Sequence, residues 1–276
     1  MEQPAAFRDR YGPWAVVLGA SEGLGEAYAR EVAGRGLNVV VAARRATPLA
    51  AVARSLHDEQ GVEAVPIVID LKARDCLEPL RAVTEPLEVG LVIYNATGSF
   101  VGPFLEEEPH HSLEQVAINV STLIGVCELF GRPMVERGRG GIVIMGSGAG
   151  VAGTAGLAVY SATKAFQLTL AQALHEEWRH RGVDVLGVVG PAIDTPNFRR
   201  SFDHDPDALP HPPLAPADVA RDVVDALGHE MEMMPGEPNR DGYRFLSAMP
   251  RVEQARMLSA SFTAAARPAE PARDRD

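Results

Sequence analysis

Cysteine is scarce in this chain: Cys76 and Cys127 are the only two in 276 residues. Both lie in apolar patterns, which excludes a disulfide framework or a cysteine zinc site and suits a reducing, cytoplasmic setting. Positive charge is also short, with 26 Lys and Arg against 37 Asp and Glu, a formal net charge of -11. That deficit excludes nucleic acid and anionic membrane as expected partners. The start, MEQPAAFRDRYG, has no apolar segment, so no signal peptide is expected. No apolar run is expected to approach the length that spans a bilayer. Nor does any repeat or linker divide residues 10–265, which predicts a single domain. The remainder is ordinary globular composition, 46% hydrophobic with a mean hydropathy of -0.04.

Short apolar runs alternate with longer helical patterns, as in chains built from βαβ units. Strands are expected at 14–19, 38–43, 64–70, 90–96, 141–147, 183–189 and 231–234. They are rich in Val and Ile and do not alternate, which predicts a parallel sheet covered on both faces. Helices are expected near 23–35, 46–60, 73–84, 112–137, 158–180 and 216–229. Residues 195–215 carry too much Pro and Asp for a strand or long helix and are read as a substrate loop. The polar tail 266–276 is expected to be disordered.

The first strand runs into LGASEGLGEAYAREVAGRG. Gly19 permits a tight turn, Gly23 lets backbone approach a pyrophosphate, and Gly25 permits close helix packing. With Ser21, Glu22 and Leu24 they form an expected phosphate-binding turn, backed by the free N–H groups of a helix start. The second strand ends in Ala43-Arg44-Arg45, where a fold reading a free ribose hydroxyl carries an acid. Arginines there suit a 2′-phosphate and favour NADP(H) over NAD(H), although Glu22 in the phosphate turn opposes it. Farther on, YSATK places Tyr160 and Lys164 about one helical turn apart on one face. An ammonium beside a phenol is expected to lower its pKa from the ordinary value of about 10 and suit it to acid–base work. His110 and His111 are adjacent, are expected to point apart, and are read as solvated; no metal site is expected.

These elements together resemble the short-chain dehydrogenase/reductase family over about residues 12–235. The glycine turn matches, as do Asp70 with Leu71 after the third strand, and Tyr94-Asn95-Ala96-Thr97 for the family's NNAG element. Asn119 matches the mid-helix asparagine, Ser147 the serine, and Tyr160 with Lys164 the Y-x-x-x-K pair. Gly190 to Thr195, with Pro191 and Ile193, aligns to the segment that closes over the nicotinamide. The resemblance implies a Rossmann-type doubly wound α/β fold with a seven-stranded parallel sheet and helices on both faces. It implies a catalytic set of Asn119, Ser147, Tyr160 and Lys164. In it Tyr160 donates the proton, Ser147 holds the carbonyl, Lys164 also holds the ribose, and Asn119 anchors a water that links Lys164 to solvent. Leu18, Tyr94, Thr97 and the inverted Gly190-Pro191 depart from the pattern and are expected to leave the reacting groups untouched.

The expected activity is interconversion of a ketone and a secondary alcohol. The nearer likeness is to hydroxysteroid and 3-ketoacyl reductases, which points to a lipophilic ketosteroid, 3-oxoacyl or polyketide-like substrate. Two alternatives stay open: a silent dinucleotide-binding regulator or scaffold, and dehydratase, epimerase or imine reductase chemistry on the same fold. Helices 112–137 and 158–180 carry apolar stripes wider than one sheet can bury. A homodimer or homotetramer through those helices is expected, unless residues 240–265 fold back over them.

Overall fold

A computed structural model describes residues 4–201, 209 and 211–265. The polar tail, His204 and the centre of the 195–215 segment lie outside the described residues. Seven strands are present among these: β1 (Trp14–Leu18), β2 (Asn38–Ala43), β3 (Ala64–Val68), β4 (Val89–Tyr94), β5 (Gly140–Met145), β6 (Val183–Val188) and β7 (Glu232–Met233). All neighbours pair parallel, in the order β3-β2-β1-β4-β5-β6-β7. Strands β1, β4 and β5 are buried along their whole length, as their unbroken apolar runs require. Strand β3 departs from that expectation. It forms the sheet edge, so Pro66 and Val68 are exposed, and a proline without an N–H is tolerated there.

One face is covered by α1 (Pro4–Tyr11), α2 (Gly23–Gly34), α3 (Ala46–Gln60) and α9 (Pro216–Ala226), after the short α8 (Pro196–Ser201). Their buried side chains, among them Tyr28, Leu49 and Val223, share one core with the sheet. Helix α1 lies where the sequence reading saw only polar residues. Phe7 and Tyr11 are buried in that core, and the Tyr11 hydroxyl donates to Asp184 on β6 at 2.7 Å. The core therefore begins ahead of residue 10.

The other face carries α4 (Leu77–Thr84), α5 (Pro109–Val116), α6 (Leu123–Arg137) and α7 (Ala158–Trp178). A π-helical turn, Ala117–Thr122, joins α5 to α6 into one 29-residue rod. By length and composition that rod is apolar enough to cross a membrane, contrary to expectation. Here Leu123, Val126 and Phe130 pack on the sheet, while Leu113 and Ile124 face outward. Helix α4 starts four residues later than expected, after turns at Asp70–Cys76. Two further helices, α10 (Glu237–Ser247) and α11 (Arg251–Ala265), lie in a region to which no helix was assigned. His110 and His111 also differ from expectation: at the exposed start of α5 their rings tilt together, with centroids 4.1 Å apart.

Candidate active site

The strand order reverses between β1 and β4, and in parallel α/β sheets ligands bind at the carboxyl ends of strands beside such a reversal. A cavity of about 1380 Å³ opens there. A single drug-sized ligand needs roughly 300–1,000 Å³, so this space suits a dinucleotide and a second molecule together. Its lining includes most of the expected cofactor contacts: Gly19, Ser21, Glu22, Gly23, Leu24, Arg44, Arg45, Asp70, Leu71, Asn95, Ala96, Thr97, Pro191, Ile193 and Thr195. Ser147, Tyr160 and Lys164 line it too, but Gly25 and Asn119 stand behind its wall.

At one end the chain turns sharply after β1. Gly19 and Gly23 have φ of +83° and +59°, a backbone region that disfavours side chains. A Cβ on Gly19 would meet the Ala96 backbone at 2.9 Å, and one on Gly25 would sit 1.9 Å from the Gly19 carbonyl oxygen. The turn is thus pressed against β4 and α2 with no room to spare, and Asn95 Nδ2 donates to the Gly19 carbonyl at 3.3 Å. Glu22 is held by two arginines, Arg45 at 2.8 Å and Arg200 of α8. Burial pushes its carboxyl up, but hydrogen bonds and charge from Arg200 and Arg45 outweigh this and hold it below the usual carboxylate range. Arg200 was not foreseen, since 178 residues separate it from Glu22.

At the centre, the Ser147 and Thr97 hydroxyls stand near enough to the Tyr160 hydroxyl to favour its charged form. Burial raises the phenol above its ordinary value, and these two hydroxyls offset part of that rise. This corrects the expected lowering by Lys164. The ammonium nitrogen lies 5.6 Å from the Tyr160 ring centroid and directs its hydrogen bonds elsewhere. Lys164 Nζ donates to the Met145 carbonyl at 2.7 Å and to Gln167 Oε1 at 2.9 Å, and burial pulls its pKa down to about 7. Thr97 also corrects the expectation that departures from the family pattern spare the reacting groups. Its Oγ1 reaches both Tyr160 and, at 3.3 Å, Asn119 Oδ1. Tyr94, another departure, points away from the cavity and donates to the Ile118 carbonyl in the π-helical turn.

Asn119 is fully buried in that turn. Its side chain accepts from Gly98 N at 2.9 Å and donates to Thr163 Oγ1 at 3.0 Å, so it braces the Thr97–Gly98 loop against α7. Its backbone carbonyl accepts from Gln167 Nε2 at 2.9 Å.

Residues 13–206 match the family model described as short chain dehydrogenase. The chain belongs to the short-chain dehydrogenase/reductase family. It is an oxidoreductase on the fold its sequence resembled. A 7beta-hydroxysteroid dehydrogenase of Clostridium sardiniense is 30% identical over 256 residues, 93% of this chain and 98% of that protein. The mouse very-long-chain 3-oxoacyl-CoA reductase is 34% identical over 67% of this chain, which spans only 61% of that protein. A structure solved to explain 7beta-hydroxysteroid dehydrogenase stereoselectivity superposes with a TM-score of 0.85 at 26% identity, covering 91% of this chain and 98% of the other. A short-chain dehydrogenase from Sphingobium yanoikuyae in complex with NADPH gives 0.72 at 28% identity, covering 87% and 97%.

The family's dinucleotide fits the residues present. The glycine turn is a cradle that Cβ atoms would fill, and the N–H groups of the first turn of α2 face the same end of the cavity. At the far end, short-chain dehydrogenase residues give way to an apolar chamber. Leu157, Met234, Leu246, Leu258 and Phe262 line it. Helix α11 roofs this chamber, with Ser259 Oγ accepting from Ala155 N at 2.9 Å and Phe262 lying against Gly156. Nothing in the sequence signals this roof, because α11 has apolar residues on more than one side and none of the family motifs.

Proposed function

We propose that the protein is an NADP(H)-dependent reductase of lipophilic ketones, working reversibly with secondary alcohols. The observation that carries this is that Ser147, Tyr160 and Lys164 line one cavity together with the glycine turn and the apolar chamber. A carbonyl oxygen seated there accepts a hydrogen bond from Ser147 and receives the phenolic proton of Tyr160. Lys164 lines the same part of the cavity and would hold the nicotinamide ribose there. Pro191, Ile193 and Thr195 would hold the nicotinamide, which when bound and reduced would supply the hydride for the carbonyl carbon. Thr97 favours the charged form of Tyr160, and its hydroxyl donates to Asn119 Oδ1 at 3.3 Å. The apolar chamber excludes water from the reacting groups and selects a ketone with extended apolar substituents. The steroid and long-chain acyl substrates named for the relatives share that character.

The preference for NADP(H) rests on Arg44, Arg45 and Arg200 at the ribose end, against Glu22 and Asp70. Charge-assisted bonds to a 2′-phosphate stabilise by about 1.5–3 kcal/mol, which is on the order of 10- to 100-fold in kcat/KM. Two free, buried thiols suit a reducing, cytoplasmic location. Residues 4–265 are read as one working domain, and a homodimer as its assembly.

The test follows dinucleotide oxidation with ketosteroids and 3-oxoacyl thioesters, using NADPH and NADH in parallel. Turnover with higher kcat/KM for NADPH is expected. Tight dinucleotide binding without turnover of any ketone would favour the silent-regulator reading. Equal efficiency with NADH would show that Glu22 outweighs its arginines.

A further inference from the structure

Lys164 is one of two lysines in the chain, the other being Lys72. Its ammonium has three N–H donors. Two are taken on the protein side, by the Met145 carbonyl at 2.7 Å and by Gln167 Oε1 at 2.9 Å. That leaves one for the cavity that Lys164 lines. Gln167 lies one turn further along α7 and has no exposed surface. Its orientation is dictated chemically. The Asn119 carbonyl can only accept, so the amide nitrogen must face it, at 2.9 Å, and the amide oxygen must face the lysine. The Asn119 carbonyl belongs to the π-helical turn, where the regular helical ladder is interrupted.

We propose that Gln167 is a positioning residue, whose amide fixes the direction and the protonation of the Lys164 ammonium by bridging it to the Asn119 carbonyl. The inference rests on the reading of Tyr160 and Lys164 as a working pair. An amide oxygen at hydrogen-bond distance stabilises an ammonium against burial, and such a bond to a charged group contributes more than a neutral one. The titratable group facing Lys164 is Tyr160, on its own helix. From β5 it meets the neutral Met145 carbonyl and from the π-helical turn, through Gln167, the neutral Asn119 carbonyl.

The direct readout is the titration of Lys164 in dinucleotide-free protein labelled with carbon-13 at lysine Cε. Two lysine signals are expected, and Lys164→Met identifies its own by loss. In the wild type that signal is expected to titrate well below the ordinary lysine value, at about 7, because the ammonium is buried. Gln167→Met keeps the bulk and removes the acceptor, so the midpoint is expected to fall by about one unit, a tenfold change in the proton equilibrium. Gln167→Glu places a carboxylate at the same spot and is expected to raise it by about one unit or more. The pH profile of kcat/KM should move in the same order. If Gln167→Met does not fold, Gln167→Glu, of equal size, decides alone. Unmoved midpoints in folded variants would overturn the proposal even in an active ketone reductase. Moved midpoints in a protein that reduces no ketone would instead overturn the ketone reading and leave the positioning role in place.

Discussion

Replacing Tyr160 by Phe removes one oxygen and leaves the ring where it packs. That oxygen is the proton donor of the proposed reaction, so turnover is expected to fall about 1,000-fold, within the usual size of a general acid's contribution. The NADPH dissociation constant should change little. Thr97→Val offers a subtler case at the same atom. The phenol loses one of the two hydroxyls that favour its charged form, so its pKa rises. The alkaline limb of kcat/KM should move to higher pH while KM for dinucleotide stays put. Stopped assays across pH check both, and wild-type activity in Tyr160→Phe would remove this residue from the chemistry. Motif spacing made Ser147, Tyr160 and Lys164 legible in the sequence. Thr97 and Gln167 were not, because a hydrogen bond to the tyrosine or the lysine depends on side-chain directions that spacing leaves open.

At the scale of elements, α11 is the part of the site the family pattern does not reach. It lies beyond residue 235, where the resemblance ends, and it contributes Leu258 and Phe262 to the chamber. Burying such a side chain stabilises by about 1.5–3 kcal/mol. Replacing both by Ser is expected to raise KM for an apolar ketone by about tenfold or more, with dinucleotide affinity unchanged, since none of the glycine-turn residues touches this helix. Steady-state kinetics together with NADPH fluorescence titration separates the two effects, and an unchanged KM would place the substrate elsewhere. Helix α11 lies over residues 155–156 and the cavity, so it does not supply the cover over α5–α6 and α7 that a monomer would need.

At the scale of the whole molecule, that helical face carries exposed apolar side chains among the described residues. Leu113 is 70% exposed and Ile124 is 48% exposed, and Ala162, Thr169 and Ala173 of α7 are open beside them. Phe166 and Leu170 of the same helix lean on the core beneath. A second copy packed about a two-fold axis would cover the open residues. Light scattering at micromolar concentration is expected to give a mass of at least twice 29.5 kDa. Ile124→Glu should shift it toward the monomer, and a wild-type monomer would refute the assembly. The charged residue enters a site that is exposed in the single chain, so folding is not at stake.

The sequence by itself determined the alternation of strand and helix, the glycine turn, and the order of reacting groups along the chain. Local patterns carry these, because β-branched runs, glycines with positive φ and a one-turn Tyr–Lys spacing act within a few residues. Tertiary structure alone decided how the groups meet. Arg200 reaches Glu22 across 178 residues, Thr97 reaches Tyr160 from another element, and Gln167 ties Lys164 to a carbonyl 48 residues earlier. It also set the direction of the pKa changes. The sequence supplied a cation beside a phenol, but the folded chain buries both, and burial rather than proximity fixes which way each one moves.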